Sequence, residues 1–381
     1  MKLSIVIPAL NEENTIGIVV DKAILAIDKL GLEAEVVVSD NGSTDATCRI
    51  ARAKGARVVC EPIRGYGSAL SSGFTSARGE YILMADADDS YDIGEIKPYI
   101  DKLNEGYDFV MGNRFKGKIE KGAMPFLHRY LGTPVLAKIM NTLFRTQLGD
   151  PNCGMRALTK DAFNKMRLKA VGMEFATEMI VKASLRKMKI AEVPCNLYND
   201  KRGHGSHLKT WQDGWHHLRF MLLFTPNWFL IPGLVLTVIG LSGLLVLLSR
   251  DIFTPWALSF ITQKHMLSFM LFFFTGIQIT GLGLAYQAFN FSEYFDQKNK
   301  IALFLLRYFK LEKGALFGFF LLLLGVCLFL YLLISWYTGV LPHLTDLVRL
   351  DIAIIAITSF LTGIQFICLS FLLGVVYLKV K

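Results

Sequence analysis

Tyr81-Ile82-Leu83-Met84-Ala85-Asp86-Ala87-Asp88-Asp89-Ser90-Tyr91-Asp92 is the stretch on which the rest of the chain turns. An apolar run of strand length rises out of polar sequence and ends in carboxylates at Asp86, Asp88 and Asp89. A buried strand that closes in Asp-X-Asp delivers two oxygen ligands to the carboxyl edge of a sheet, where open α/β folds bind ligands. Mg²⁺ in particular takes one or two carboxylates together with substrate phosphates. Asp86 and Asp88 are therefore expected to hold a divalent cation, Mg²⁺ or Mn²⁺, whose shell a diphosphate completes. The same residues also read as a solvated acidic turn, so the flanking sequence has to separate the two.

Upstream, Leu3 to Ile7 is a β-branched run closed by Pro8. Asn11-Glu12-Glu13 then opens a helix with Ile16, Val19, Val20, Ala23, Ile27 and Leu30 on one face, stopped by Gly31. Glu35 to Ser39 is a second strand, and Asp40 at its end is placed to accept from a ribose and base, with Ser43 or Thr44 capping the next helix. A short third strand, Arg57 to Cys60, leads into Arg64-Gly65-Tyr66-Gly67, whose glycines would let backbone amides approach a phosphate. Strand and helix alternate through residue 112, which predicts an α/β fold with a doubly wound, mainly parallel sheet. Pro8, Asp40 and the Asp86/Asp88 pair then meet at one carboxyl edge. A solvated turn does not explain that convergence.

The second half has a different composition. The chain has 381 residues, is 52% apolar and carries a formal charge of +9. Up to about Phe224 no apolar run approaches the ~18 residues a membrane span requires. Beyond it four do: Trp228–Leu248, Leu267–Phe289, Leu316–Tyr337 and Ile352–Tyr377. The expected organisation is a soluble domain over 1–200, an amphipathic junction over 201–226 and a four-helix transmembrane domain over 227–381. In the junction, Trp211, Trp215, Leu218 and Leu222 recur at helical spacing, with Lys209, Gln212, Asp213, His216 and Arg219 read as the opposite side. Such a helix lies in the membrane interface. Its histidines lack ligand spacing and read as solvated or phosphate-facing rather than metal-binding.

Lys298, Lys300, Arg307, Lys310 and Lys313 crowd the middle loop, so the positive-inside rule places that loop and both termini in the cytosol. The first residues lack the apolar core of a signal peptide, in agreement. Thr275-Gly276-Ile277-Gln278 recurs as Thr362-Gly363-Ile364-Gln365, which suggests two copies of a two-helix hairpin with the glycines at close helix contacts and the glutamines bonding between helices. The six cysteines show no CxxC pairing and read as free thiols.

Val6-Ile7-Pro8-Ala9-Leu10-Asn11-Glu12-Glu13, Ser39 to Thr47, Arg64 to Leu70 and Met84 to Asp92 together resemble family 2 glycosyltransferases of the GT-A fold. Gly112 to Phe115, Asp150 to Leu158, Met173 to Met179 and Arg202 to Trp211 narrow the resemblance to the polyprenyl-phosphate sugar synthases, the dolichol-phosphate mannose synthase group and its undecaprenyl-phosphate relatives. It covers roughly the first 225 residues. The resemblance implies inverting transfer of a hexose from a UDP- or GDP-sugar to a polyprenyl phosphate. It implies donor contacts at Pro8, Leu10, Glu12, Asp40, Asp86, Ala87, Asp88 and Arg114, and lipid-phosphate contacts at Arg129, Arg156, Arg202, Ser206, His207 and Lys209.

Asp88, Asp150 and Arg202 are the catalytic candidates, Asp150 being the carboxylate to name if a base exists. A phosphate monoester has a second pKa of about 6, so this acceptor is already anionic at neutral pH and needs orientation more than proton abstraction. Two positions depart from the family: Asn41 stands where relatives usually carry Asp, and Ser206-His207 where many carry Ser-Lys, with Lys209 nearby. The implied partners are the nucleotide-sugar, the polyprenyl phosphate and the membrane. No nucleic acid is implied, and a homo-oligomer is left open. A processive polysaccharide synthase would carry QxxRW, which does not occur here, and a degenerate scaffold would not keep Asp86-Ala87-Asp88.

Overall fold

The computed structural model describes residues 1–201, 210–225, 227–248, 265–294, 311–338 and 346–380. They form two compact units, Met1–Leu222 and Leu223–Lys381.

In the first unit, strands β1 (Leu3–Ala9), β2 (Ala34–Asp40), β3 (Arg57–Cys60), β4 (Tyr81–Met84), β5 (Phe109–Asn113), β6 (Arg156–Thr159) and β7 (Ile190–Pro194) make one sheet. Its spatial order is β3-β2-β1-β4-β6-β5-β7. Helices α1 (Ile16–Leu30), α2 (Thr47–Ala53), α3 (Tyr66–Ser76), α4 (Lys97–Asn104), α5 (Thr133–Phe144), α6 (Lys160–Met166) and α7 (Phe175–Leu185) connect and flank the strands, and α8 (Thr210–Leu223) follows. The sheet is parallel except for β6, which runs antiparallel between β4 and β5. Val6, Ile7, Val37, Val38, Leu83 and Val110 are fully buried, as strands covered on both faces require.

Helix α1 buries Ile16, Val19, Val20, Ala23 and Ile27 and stops at Gly31, whose φ of 60° is the left-handed cap expected of glycine. It begins at Ile16 rather than at Asn11. Asn11 has a φ of 56°, and the Glu12 carbonyl accepts from Thr15 N and Ile16 N, so these residues form a turn instead of a first helical turn. The expected cap of α2 by Ser43 or Thr44 is likewise corrected. Ser43 Oγ accepts from Asn11 N, Thr44 N donates to Asn11 Oδ1, and Asp45 accepts from Thr47 N at the helix start. Both polar loops bond to each other before either serves its own helix.

The second unit holds α9 (Asn227–Leu248), α10 (Met266–Tyr294), α11 (Leu311–Thr338) and α12 (Asp346–Val380). Each contains a stretch long and apolar enough to cross a membrane: Asn227–Val246, Met266–Ala288, Leu311–Thr338 and Val348–Val375. Within the first hairpin a Cβ on Gly276 would meet Thr237 N at 2.3 Å, and within the second a Cβ on Gly363 would meet Leu322 N at 2.5 Å. The repeated glycines thus sit where two backbones touch. Of the repeated glutamines, Gln278 is exposed and does not share that seam, while Gln365 is half-buried.

Candidate active site

Parallel register places the strand ends together. Ala9 pairs with Asp40, Asp40 with Cys60, and Val6 with Met84, so the loops after β1, β2 and β4 leave the sheet at one edge. Parallel β5 brings Asn113 and Arg114 to that edge, and antiparallel β6 begins there with Arg156, opposite Met84. Pro8 and Leu10 are half-buried, and Glu12, Asp40 and Ala87 are buried.

Asp40 caps its own loop, accepting from Gly42 N and Ser43 N at 3.2 Å. Asn41 uses both ends of its amide: Nδ2 donates to the Glu61 and Ile63 carbonyls at 3.2 and 2.8 Å, and Oδ1 accepts from Gly65 N at 2.7 Å. A carboxylate has no hydrogen to give two carbonyls. The residue that departs from the family therefore ties the end of β2 to the loop over 61–65.

The two carboxylates of the Asp-X-Asp turn are oriented by hydroxyls. Tyr66 donates to Asp86 Oδ1 at 3.0 Å, and Ser90 donates to Asp88 Oδ1 through Oγ at 2.6 Å and N at 3.0 Å. Burial and the neighbouring Asp86 carboxylate push the Tyr66 phenol well above its usual range, so it remains a donor. Asp89 is not solvated. It is 2% exposed and pairs with Lys22 at 2.5 Å and Lys201 at 2.7 Å. Among the described residues no three His, Cys, Asp or Glu side chains gather to hold an ion by themselves. Two hydroxyl-oriented carboxylates fit Mg²⁺ or Mn²⁺ as a donor set that substrate phosphates complete.

Opposite them lies the loop Asp150-Pro151-Asn152-Cys153-Gly154. Gly154 packs so closely on the turn that a Cβ there would lie 2.2 Å from Asp86 Oδ2, and its N–H donates to the Tyr91 hydroxyl at 3.0 Å. Asp150 is fully buried and accepts from Arg114 Nε at 2.6 Å, Nη2 at 2.8 Å and N at 3.0 Å. With both oxygens bound to the Arg114 guanidinium, Asp150 ties Arg114 to the 150–154 loop. Burial works against the Arg114 charge, but Tyr91 and Asp150 outweigh it and hold the guanidinium protonated. Glu192, which the sequence did not single out, ties the same loop down by accepting from Gly149 N at 2.7 Å and Asp150 N at 3.2 Å.

Arg156 is also corrected. It is 1% exposed, and its Nε, Nη1 and Nη2 donate to the carbonyls of Cys153, Ala176 and Pro151 at 2.9, 2.6 and 2.9 Å. It braces the loop from within and does not face a lipid phosphate. Gly65 and Gly67 are small for a reason other than phosphate: their Cβ positions would lie 2.3 Å from the Val171 and Ala170 carbonyls.

Arg129, for which the family resemblance implies a lipid-phosphate contact, is half-buried. Its guanidinium lies 5.6 Å from the Tyr130 ring centroid. Around it, Phe126, Tyr130 and Leu131 are 78%, 61% and 56% exposed, with Leu127 and Val135 beside them, while Ala137, Met140 and Phe144 of α5 turn inward. Six-carbon rings and leucines displayed on one helical stripe mark an interaction surface.

On α8, Trp215 and Arg219 are both exposed, one turn apart on one face rather than on opposite sides, as 3.6 residues per turn demand. His217 is not solvated; its Nδ1 lies 2.6 Å from Thr177 Oγ1 on α7. Arg202, Ser206, His207 and Lys209 lie outside the described residues.

The model for glycosyl transferase family 2 matches residues 4–167, and that for the glycosyltransferase family 2 C-terminal transmembrane region matches 284–377. The low-salt glycan biosynthesis hexosyltransferase Agl6 of Haloferax volcanii is 33% identical over 98% of this chain and 88% of its own. The chain belongs to glycosyltransferase family 2. It is a glycosyltransferase whose first unit has the GT-A fold, and its four apolar helices make it an integral membrane protein. The dolichyl-phosphate hexose transferase of the same organism is 32% identical over 53% of this chain and 84% of its own. Glucosyl-3-phosphoglycerate synthase of Mycobacterium tuberculosis, solved with Mn²⁺, UDP and glucosyl-3-phosphoglycerate, aligns over 59% of this chain and 80% of that one with 24% identity and a TM-score of 0.46.

Proposed function

We propose that this glycosyltransferase moves a hexose, with inversion, from a UDP- or GDP-linked donor to undecaprenyl or dolichyl phosphate at the cytosolic membrane face. The observation that carries the reading is the joining, in one chain, of an Asp40/Asp86/Asp88 edge to four membrane-spanning helices. The donor is water-soluble and the acceptor is not. A relative named as a dolichyl-phosphate hexose transferase supports the acceptor class.

In this reading Asp40 and the Asn41-tied loop receive the nucleotide, and Asp86 and Asp88 hold Mg²⁺ or Mn²⁺. When bound, the cation supplies charge neutralisation at the departing diphosphate. The Arg114–Asp150 pair fixes the loop that packs on Asp86. The acceptor phosphate attacks as an anion, so no side chain has to remove a proton. The aromatic stripe about Tyr130 lies against the lipid headgroups, with Arg129 at the level of the acceptor phosphate. Aromatic and basic groups side by side suit that depth.

The test is incorporation of radiolabelled sugar into extractable lipid by the purified chain, with polyprenyl phosphate, a panel of UDP- and GDP-sugars, and Mg²⁺ or Mn²⁺ against a chelator. A mild-acid-labile sugar lipid from one donor, lost on chelation, is the expected result. Nucleotide binding without lipid product from any donor overturns the acceptor assignment.

A further inference from the structure

We propose that the isoprenoid chain of the acceptor lies in a crevice between α10 and α12, an inference that rests on the function proposed above. The crevice has a volume of about 800 Å³ and is lined by Leu282, Ala285 and Tyr286 of α10 and by Cys368, Phe371 and Val375 among others of α12. That volume falls within the ~300–1,000 Å³ of ligand clefts.

Its shape follows from side-chain size. Leu282, Phe371 and Val375 are 61%, 58% and 62% exposed and stand outward as walls, whereas Ala285 is 6% exposed and forms a low floor. Beneath, Ala285 and Ala288 pack on Leu373. The other end of the same helix pair is filled, with Leu244, Met266 and Ile354 joined by Phe269, Met270 and Phe273. The opening is therefore confined to the end where α10 and α12 finish.

That end is followed in the sequence by Lys298, Lys300, Arg307 and Lys310, and so is the cytosolic end by the positive-inside rule. A lipid whose phosphate reacts on the cytosolic side enters the bilayer through that leaflet. The walls are aromatic and branched, and a chain with regularly spaced methyl branches fills an irregular apolar crevice with more contacts than an unbranched acyl chain. The isoprenoid is the one lipid that the proposed reaction brings to this chain.

The test uses the full chain in vesicles, with a long polyprenyl phosphate and a short-chain prenyl phosphate too small to reach the crevice from headgroup level. Ala285→Leu raises the floor, and Cys368→Trp narrows an exposed wall without touching the helix seam. Either change should raise the KM for the long acceptor about tenfold by removing apolar contact, and leave the short acceptor and the donor unchanged. A photoreactive polyprenyl phosphate should label α12 between Ile367 and Val375 in the unsubstituted protein.

Unchanged use of the long acceptor by both variants, or label placed only elsewhere, overturns the crevice while leaving the reaction intact. Equal loss for both acceptors means general damage and also overturns it. Failure of the unsubstituted protein to use any prenyl phosphate overturns the function and this occupant together, a result distinguishable from the others.

Discussion

Gly154 shows how much of this site rests on single atoms. Its missing side chain lets the 150–154 loop sit on Asp86, and a methyl there would overlap Oδ2. Gly154→Ala should therefore shift Asp86 and lower kcat about 10²-fold, the order expected from a displacement near 1 Å, with folding retained. Transfer assays beside thermal melts check this. Asp150 makes a different prediction. Because both its oxygens are bound to Arg114, Asp150→Asn should depress transfer equally across pH 6 to 9. A base would instead show as a lost acidic limb in the pH–rate profile.

Asp45 links acidity to stability. Burial alone would raise its pKa, but hydrogen bonds from Thr47 Oγ1, Thr47 N and Glu13 N outweigh it, and the net shift is downward. A depressed folded-state pKa contributes stability above the unfolded value of about 3.9 and loses it as pH falls through the folded value. Asp45→Asn should accordingly melt below the parent at pH 7, and the gap should close as pH is lowered past that range. Melting curves of detergent-solubilised protein from pH 7 to 3 test the sign.

Among the elements, the stripe leading into α5 separates structure from function most clearly. Its inner residues Ala137, Met140 and Phe144 hold the helix to the first unit, while Phe126 and Tyr130 face outward. Exposed positions tolerate charge without unfolding, so Phe126→Glu with Tyr130→Glu should leave the melting point within a degree or two, as surface changes usually do. The same pair should raise the KM for polyprenyl phosphate in anionic vesicles about tenfold through lost interfacial contact, and much less in detergent micelles. A loss of equal size in micelles would assign the stripe to something other than the lipid surface. Helix α8 carries a related pair in Trp215 and Arg219, displayed on one face.

At the scale of the molecule, the chain joins an α/β unit to two glycine-seamed hairpins. What the sequence by itself determined is what local pattern and composition encode. β-branched runs, the Asp86-Ala87-Asp88 turn, Gly31 and the four apolar stretches each follow from periodicity, backbone preference or length, which neighbours in sequence settle among themselves. The family motifs marked the same edge.

Only the tertiary structure decided what each polar group meets. Arg156 carries the same fork in sequence whether it meets a phosphate or three carbonyls, and antiparallel β6 turned it inward. Asp150 became half of an ion pair because β5 delivers Arg114 beside it, 36 residues away along the chain. Asp89 found Lys22 and Lys201 at separations of 67 and 112 residues. Hydrogen bonds and ion pairs act over a few ångströms of space. Contacts closed across such distances in the chain leave no local periodicity, and the packing of the sheet edge alone selects them.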